Sequence, residues 1–71
     1  MPFDNVFIRN ADGSVTTRTT IRVGGITVGA NTILRQGQTI AGLDFTQFIG
    51  RQLQVEIENG VYVIKGIYSQ A

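Results

Sequence analysis

The two glutamates Glu56 and Glu58 come closer than any other residues to a catalytic spacing. Side chains two positions apart on a strand share a face and lie roughly 7 Å apart, a separation that the two carboxylates of a hydrolase can have. The pair, however, directly precedes Asn59-Gly60, the tip of a predicted hairpin, where water surrounds both groups. We therefore expect these glutamates to solvate the outer face of the hairpin, with Glu56 contacting Lys65 across the strands.

The remaining inventory of reactive side chains is small. The sequence has no histidine and no cysteine, so it lacks the residues that most often serve as general bases, nucleophiles and zinc ligands. Its glycines, such as Gly24-Gly25 and Gly29, do not have the spacing of a phosphate-binding loop. Asp12 and Asp44 suit a turn and a helix cap. These features predict a protein that is not an enzyme, with no cofactor, no metal and no small-molecule substrate.

Three arginines form the most suggestive polar pattern. The segment 15–23 alternates apolar or threonine residues with polar ones, which predicts a single half-buried strand with Arg18 and Arg22 about 13 Å apart on its outward face. Arg9, on the neighbouring strand, can join them. Such a stripe could contact a phosphate backbone, although arginines among threonines are also typical of an ordinary solvated strand. The net charge of +1 provides no general attraction to nucleic acid or to anionic membranes.

The C-terminal hairpin is the clearest structural signal. Asn59-Gly60 joins two β-prone segments, 51–58 and 61–68, through a two-residue turn that fixes the register. Paired positions then sum to 119, with Ile57 opposite Tyr62 on the core face. The other face acquires apolar residues where simple alternation would place polar ones: Val61, Val63 and Ile67. We expect another part of this chain or a second chain to cover them.

The elements that position these residues are mostly short strands. The apolar run 3–9 and the turn Asn10–Gly13 predict a first hairpin with the arginine strand. Residues 24–42 contain further β-prone pieces that leave the strand count open by one. Asp44 begins a helix of one to two turns that ends at Gly50, and its carboxylate is expected to accept from the Gln47 amide. This order predicts an all-β fold, a small five- to six-stranded antiparallel barrel or roll, OB-like or SH3-like, with the short helix before the final hairpin.

Length and composition bound the remaining possibilities. The 71 residues suffice for one small domain, 1–71, and their 42 % hydrophobic and 15 % charged content is globular. Without cysteine or histidine, oligomerisation is the means of extra stabilisation left to so small a core. No apolar stretch approaches the length of a membrane span, and the first residues do not have the pattern of a signal peptide. We expect a cytoplasmic protein with no membrane partner.

Two functional hypotheses follow from these features. The first is a non-catalytic assembly or interaction module that works as a small homo-oligomer, or with a protein partner, through Val61, Val63 and Ile67. The alternative is a small β-barrel nucleic-acid-binding protein that uses Arg9, Arg18 and Arg22. The first predicts association of folded chains, whereas the second predicts binding that weakens steeply as the salt concentration rises.

Overall fold

Short strands dominate the computed structural model, which describes residues 1–68. One turn of α-helix, α1, is followed by β1 and β2, and a single turn of 3-10 helix separates the five N-terminal strands from the final hairpin. The all-β prediction with a short helix before that hairpin is confirmed. The elements are α1 (Phe3–Val6), β1 (Phe7–Arg9), β2 (Val15–Thr17), β3 (Ile21–Val23), β4 (Ile26–Val28), β5 (Ile33–Leu34), the 3-10 helix (Phe45–Phe48), β6 (Leu53–Glu58) and β7 (Val61–Ile67).

The strands form two sheets. One has three antiparallel strands in the order β1-β2-β5, and the other has four strands in the order β4-β3-β7-β6. Within the second sheet β3 runs parallel to β7, with Ile21 opposite Tyr62 and Val23 opposite Ile64. Because of this pair, the prediction of a wholly antiparallel arrangement is wrong. Across residues 1–68 the seven strands do not close into one barrel, so the OB-like or SH3-like topology is not confirmed.

The predicted single strand 15–23 is divided in two by a bend. Thr17 is completely buried, and its hydroxyl donates to the Gly29 carbonyl at 2.8 Å and accepts from the Thr32 amide at 3.0 Å. The next residue, Arg18, donates its backbone N–H to the Val6 carbonyl at 2.9 Å. These bonds hold the end of β2 in the three-stranded sheet, and the chain then turns into β3 of the other sheet. Alternation alone did not reveal the bend, because threonines continue the pattern through it.

Three phenylalanines join the N-terminus to the middle of the chain. Phe3 stacks on Phe7 with ring centroids 4.6 Å apart, and Phe7 packs against Phe45 of the 3-10 helix at 5.3 Å. All three rings are buried. Sequence reasoning predicted a strand over the whole run 3–9, but its first part is the helical turn α1. The turn places both Phe3 and Phe7 in the core. Strict alternation along a strand would do the same, so the sequence pattern did not distinguish a helical turn from a strand.

The final hairpin has the predicted turn but not the complete predicted register. Asn59 and Gly60 have φ values of 51° and 80°, as a two-residue turn with left-handed backbone requires. The pairs nearest the turn agree with the prediction, including Ile57 with Tyr62. Beyond Val55 the register shifts by one residue at a β-bulge. As a result Ile67 lies opposite Leu53 rather than Gln52, and it packs against the core instead of lying on the outer face.

Asp44 begins the 3-10 helix, as predicted, but with a different donor. Its Oδ1 accepts from the backbone N–H of Thr46 at 3.0 Å and from the Thr46 hydroxyl at 2.6 Å. Its Oδ2 accepts from the backbone N–H of Gly37 at 2.9 Å. The predicted acceptor role is confirmed, while the bond to the Gln47 amide is replaced by the one to Thr46. One carboxylate therefore joins the helix to the loop that follows β5.

Replacing Thr17 with Val tests whether its buried hydroxyl holds the bend. Removing the hydroxyl leaves the Gly29 carbonyl and the Thr32 amide without that partner, and we expect the free energy of unfolding to fall by about 1–3 kcal/mol. Thr39→Val is the matched control, because Thr39 is exposed. Urea denaturation followed by circular dichroism measures both variants. Equal stability of the two variants would contradict the role assigned to Thr17.

Candidate interaction surfaces

The residues predicted to form the interface do not share one face of the hairpin. Val61 and Val63 lie on the outer face, where the register places Val63 between Arg22 of β3 and Glu56 of β6. Ile67 lies on the core-facing side because of the β-bulge. The prediction that all three form a single outer row is therefore wrong. Their use as an interface stays a prediction.

Val63 is already covered by this chain. Its exposed fraction is only 8 %, although it is not part of the main core cluster. On one side Arg22 donates from Nε to the Thr27 hydroxyl at 3.4 Å, and on the other Lys65 Nζ lies 3.9 Å from Glu56 Oε2. Long charged side chains cover apolar surface with their stems while the charged ends stay in water. We attribute the burial of Val63 to these neighbours.

A different apolar row crosses the core-facing side of the four-stranded sheet. Val28, Ile21, Tyr62 and Ile57 lie opposite one another on β4, β3, β7 and β6 in turn, and we call them the hairpin row. Ile21 is completely buried, Val28 and Tyr62 are half-buried, and Ile57 is 58 % exposed. Sequence reasoning placed Ile57 in the core because of its alternation. It missed that β6 is an edge strand, so that in residues 1–68 no strand flanks Ile57 on its outer side.

The outer edge of β6 is paired only where it begins. Leu53 donates its backbone N–H to the Met1 carbonyl at 2.6 Å, and Phe3 donates to the Arg51 carbonyl at 3.0 Å. In a strand, successive backbone N–H and C=O groups point to opposite edges. The N–H and C=O groups of Val55 and Ile57 therefore point outward, like those of Leu53. In the described part of the chain, no strand pairs with this outward edge beyond Leu53.

The three arginines of the alternative hypothesis are separated. Arg9 Nε lies 3.2 Å from Asp4 Oδ1, and Arg18 donates from Nε to the Asp4 backbone carbonyl at 2.7 Å. Arg22 lies on the outer face of the other sheet. The structure thus brings Arg9 and Arg18 together at Asp4, whereas the predicted common face of Arg18 and Arg22 is wrong. The bend after Thr17 is the physical reason, because it contains Arg18, whereas Arg22 lies on β3 of the four-stranded sheet.

Local structural partners are present for Glu56, Asp12 and Asp44. The expected contact between Glu56 and Lys65 is confirmed by the 3.9 Å ion pair. The Ser14 hydroxyl, 2.6 Å from Asp12 Oδ1, lowers the pKa of Asp12 below its usual value, assisted by the Ser14 backbone N–H and by Arg35. The Thr46 hydroxyl and the Gly37 N–H lower the pKa of Asp44 in the same way.

Residues 1–68 contain no group of three or more side chains that could hold a metal ion together. Within the same range, no helix has the length and apolar character needed to cross a membrane. Comparisons with protein-family models, with curated proteins and with solved structures give no match to this chain.

The lowered pKa values predict acid-sensitive stability. In the folded state Asp12 and Asp44 bind protons more weakly than in the unfolded state, so their stabilising effect is complete above the unfolded pKa and is lost as the pH falls through the folded pKa. We expect the free energy of unfolding to be level above about pH 5 and to decrease below it.

Asp44→Asn isolates one of these carboxylates. The amide nitrogen of Asn cannot accept the hydrogen bond from Gly37, so the variant should be less stable at neutral pH and should lose less stability on acidification. Glu58→Gln is the control, because Glu58 is exposed near the hairpin tip. Denaturant titrations at a series of pH values give the comparison. An unchanged pH dependence in Asp44→Asn would overturn the assignment.

Proposed function

We propose that this protein is a non-catalytic interaction module that assembles as a small homo-oligomer through its C-terminal hairpin, β6 and β7. The observation that supports the proposal is the hairpin row, an apolar line across four strands that ends at Ile57 with 58 % of that residue exposed. Contact with a second copy would complete the cover of Ile57 and Tyr62. The proposed contact thus uses Ile57 and Tyr62, on the core-facing side of the hairpin, rather than Val61, Val63 and Ile67.

A symmetric dimer suits this surface. In a two-fold arrangement each copy presents the same patch, so Ile57 of one protomer packs near Tyr62 of the other. Full burial of one isoleucine side chain contributes about 1.5–3 kcal/mol. A stable specific interface needs on the order of 1,000 Å² of buried surface, which is more than one row of side chains provides. We therefore expect weak association that depends on protein concentration.

The non-catalytic part of the proposal is supported by the residue types. Histidine and cysteine are absent from the sequence, and the two aspartates with lowered pKa values already accept hydrogen bonds from their own loops. Two further expectations from the sequence accompany the proposal: kinship with small OB-like or SH3-like folds, and a cytoplasmic location. The order of short strands and a helix before the last hairpin supports the first, and the absence of cysteine is compatible with the second.

Nucleic-acid binding is the second candidate, and one observation favours it. Arg9 and Arg18 converge on Asp4, so two guanidinium groups lie on one part of the surface and could contact neighbouring phosphates. The Asp4 carboxylate neutralises part of this charge. Arg22, on the other sheet, does not extend the patch. A site with two arginines beside a carboxylate would bind weakly and only at low salt.

Light scattering coupled to size exclusion tests self-assembly. We expect the mass of the wild-type protein to rise with concentration toward that of a dimer, and Ile57→Thr to remain a monomer because it removes apolar surface while keeping a β-branched side chain. Ile33→Thr is the matched control, since Ile33 is 49 % exposed on the other sheet. A wild-type monomer at every concentration, or an Ile57→Thr variant that keeps the larger mass, would refute the proposal.

Fluorescence anisotropy with a labelled single-stranded oligonucleotide tests the second candidate. If this candidate is right, Arg9→Gln combined with Arg18→Gln abolishes binding, Arg22→Gln leaves it unchanged, and wild-type affinity falls as salt increases. Binding that persists in the double variant would eliminate the patch at Asp4 as its cause.

A further inference from the structure

The outer edge of β6 has unpaired backbone groups in a known orientation. Tyr62 donates its backbone N–H to the Thr20 carbonyl at 3.0 Å, toward β3. Its neighbours Val61 and Val63 therefore direct their N–H and C=O groups toward β6, where they lie opposite Glu58 and Glu56. The intervening residues of β6, Val55 and Ile57, must then point their backbone groups away from β7. The pairing of Leu53 with Met1 requires the same orientation independently.

The first part of this edge already accepts an extended segment. The bridge between Pro2 and Gln52 is antiparallel, and Met1 and Phe3 bond to the backbone of Leu53 and Arg51. Extending that antiparallel pairing along β6 reaches two N–H and two C=O groups, those of Val55 and Ile57. Within residues 1–68, these four groups belong to an edge with no neighbouring strand. Addition of a strand to an exposed edge is a common mode of peptide recognition.

The side chains along β6 define what such a strand must carry. Val55 and Ile57 face the core side, where Val55 is half-buried and Ile57 is mostly exposed. Glu56 and Glu58 face the outer side and are exposed, and Lys65 Nζ lies 3.9 Å from Glu56 Oε2. A complementary strand therefore alternates apolar residues beside Val55 and Ile57 with basic residues beside the two glutamates.

A second copy of this chain fits the same edge poorly. Antiparallel pairing through the outward residues places even-numbered positions opposite even-numbered positions. Two copies related by a two-fold axis would then set Glu56 against Glu56, or Glu56 against Glu58, in the registers that avoid the segment at Leu53. Like charges directly opposite each other destabilise a strand pair, and charged residues on an edge are a usual protection against self-pairing. The charges on this edge therefore disfavour pairing with β6 of a second copy.

We propose that the outer edge of β6 binds an extended basic-apolar peptide segment of another protein by antiparallel strand addition. The segment lies opposite residues 58 to 55 in the order basic, apolar, basic, apolar, because Met1 already lies opposite Leu53. The site goes beyond the self-assembly proposed above, because it uses the outward backbone groups of β6 together with Glu56 and Glu58, whereas the self-assembly uses the apolar side chains of the hairpin row. With four backbone hydrogen bonds and two exposed ion pairs, we expect a dissociation constant on the order of 0.1–1 mM for a short probe.

The probe is the capped peptide Lys-Val-Lys-Val, titrated into the 15N-labelled full-length chain and followed by NMR. We expect saturable shifts of the Val55 and Ile57 amide signals, which exchange rapidly with solvent before the peptide is added. The control peptide Glu-Val-Glu-Val should not bind. A second control carries N-methyl groups on both valines, which removes the donors to β6, and it should also fail to bind. Equal binding of either control would overturn the proposal.

Two protein variants separate the charge from the backbone contribution. Glu56→Gln with Glu58→Gln should weaken binding of the basic peptide by about two- to fivefold for each lost ion pair, and the loss should disappear at high salt. Ile57→Pro removes an outward N–H that the fold does not use, so it should abolish binding. If Ile57→Pro does not fold, the N-methylated peptide provides the same test from the ligand side.

The outcomes distinguish this proposal from the proposed self-assembly. Peptide binding by a chain that stays monomeric would support strand addition and refute the homo-oligomer. Oligomers that Ile57→Thr dissociates, together with no peptide binding, would leave self-assembly intact and overturn strand addition. If the Val55 and Ile57 amides of the free protein exchange more slowly as the protein concentration rises, a second copy occupies the edge. That result would also overturn the proposal.

Discussion

The parallel pairing of β3 with β7 is the interaction on which the rest of the structure depends. It joins residues about forty positions apart, Ile21 with Tyr62 and Val23 with Ile64, and thereby attaches the N-terminal half of the chain to the final hairpin. Without it the hairpin would be a two-stranded unit, which has little stability in water. The pairing also makes β7 a central strand and leaves β6 at the edge. Both proposed contact surfaces result from that arrangement.

Polar side chains make the pairing possible by directing the chain between its sheets. The buried Thr17 hydroxyl ends β2 and commits the following residues to a bend, after which β3 can reach β7. The Asp44 carboxylate joins the loop at Gly37 to the 3-10 helix, which packs Phe45 against Phe7. The Thr17 hydroxyl and the Asp44 carboxylate make these hydrogen bonds within the chain. Their role is to shape the fold, and this explains why the functional proposals involve backbone edges and apolar side chains instead.

The hairpin has two different faces and one open edge, and each has a different physical character. On the outer face Val63 is buried, and we attribute its burial to the long charged side chains beside it. The core-facing side is apolar and incompletely covered at Ile57. The edge carries two glutamates beside backbone groups that no strand of the described residues, 1–68, pairs with. Self-association suits the core-facing side, since it requires apolar contact. A basic extended peptide suits the edge, since it requires hydrogen bonds together with opposite charge.

The sequence by itself determined the local features: the all-β class, the turn at Asn59-Gly60, the acceptor role of Asp44 and the contact of Glu56 with Lys65. Each depends on residues near in sequence or fixed by a two-residue turn. Only the tertiary structure decided that segment 15–23 bends, that β3 lies parallel to β7 and that a bulge moves Ile67 to the core side. Alternation of side chains specifies which face of a strand is apolar. Alternation does not specify which strand lies beside a given strand, because backbone hydrogen bonds are the same for every sequence. The sequence therefore could not distinguish the exposed Ile57 from a core residue.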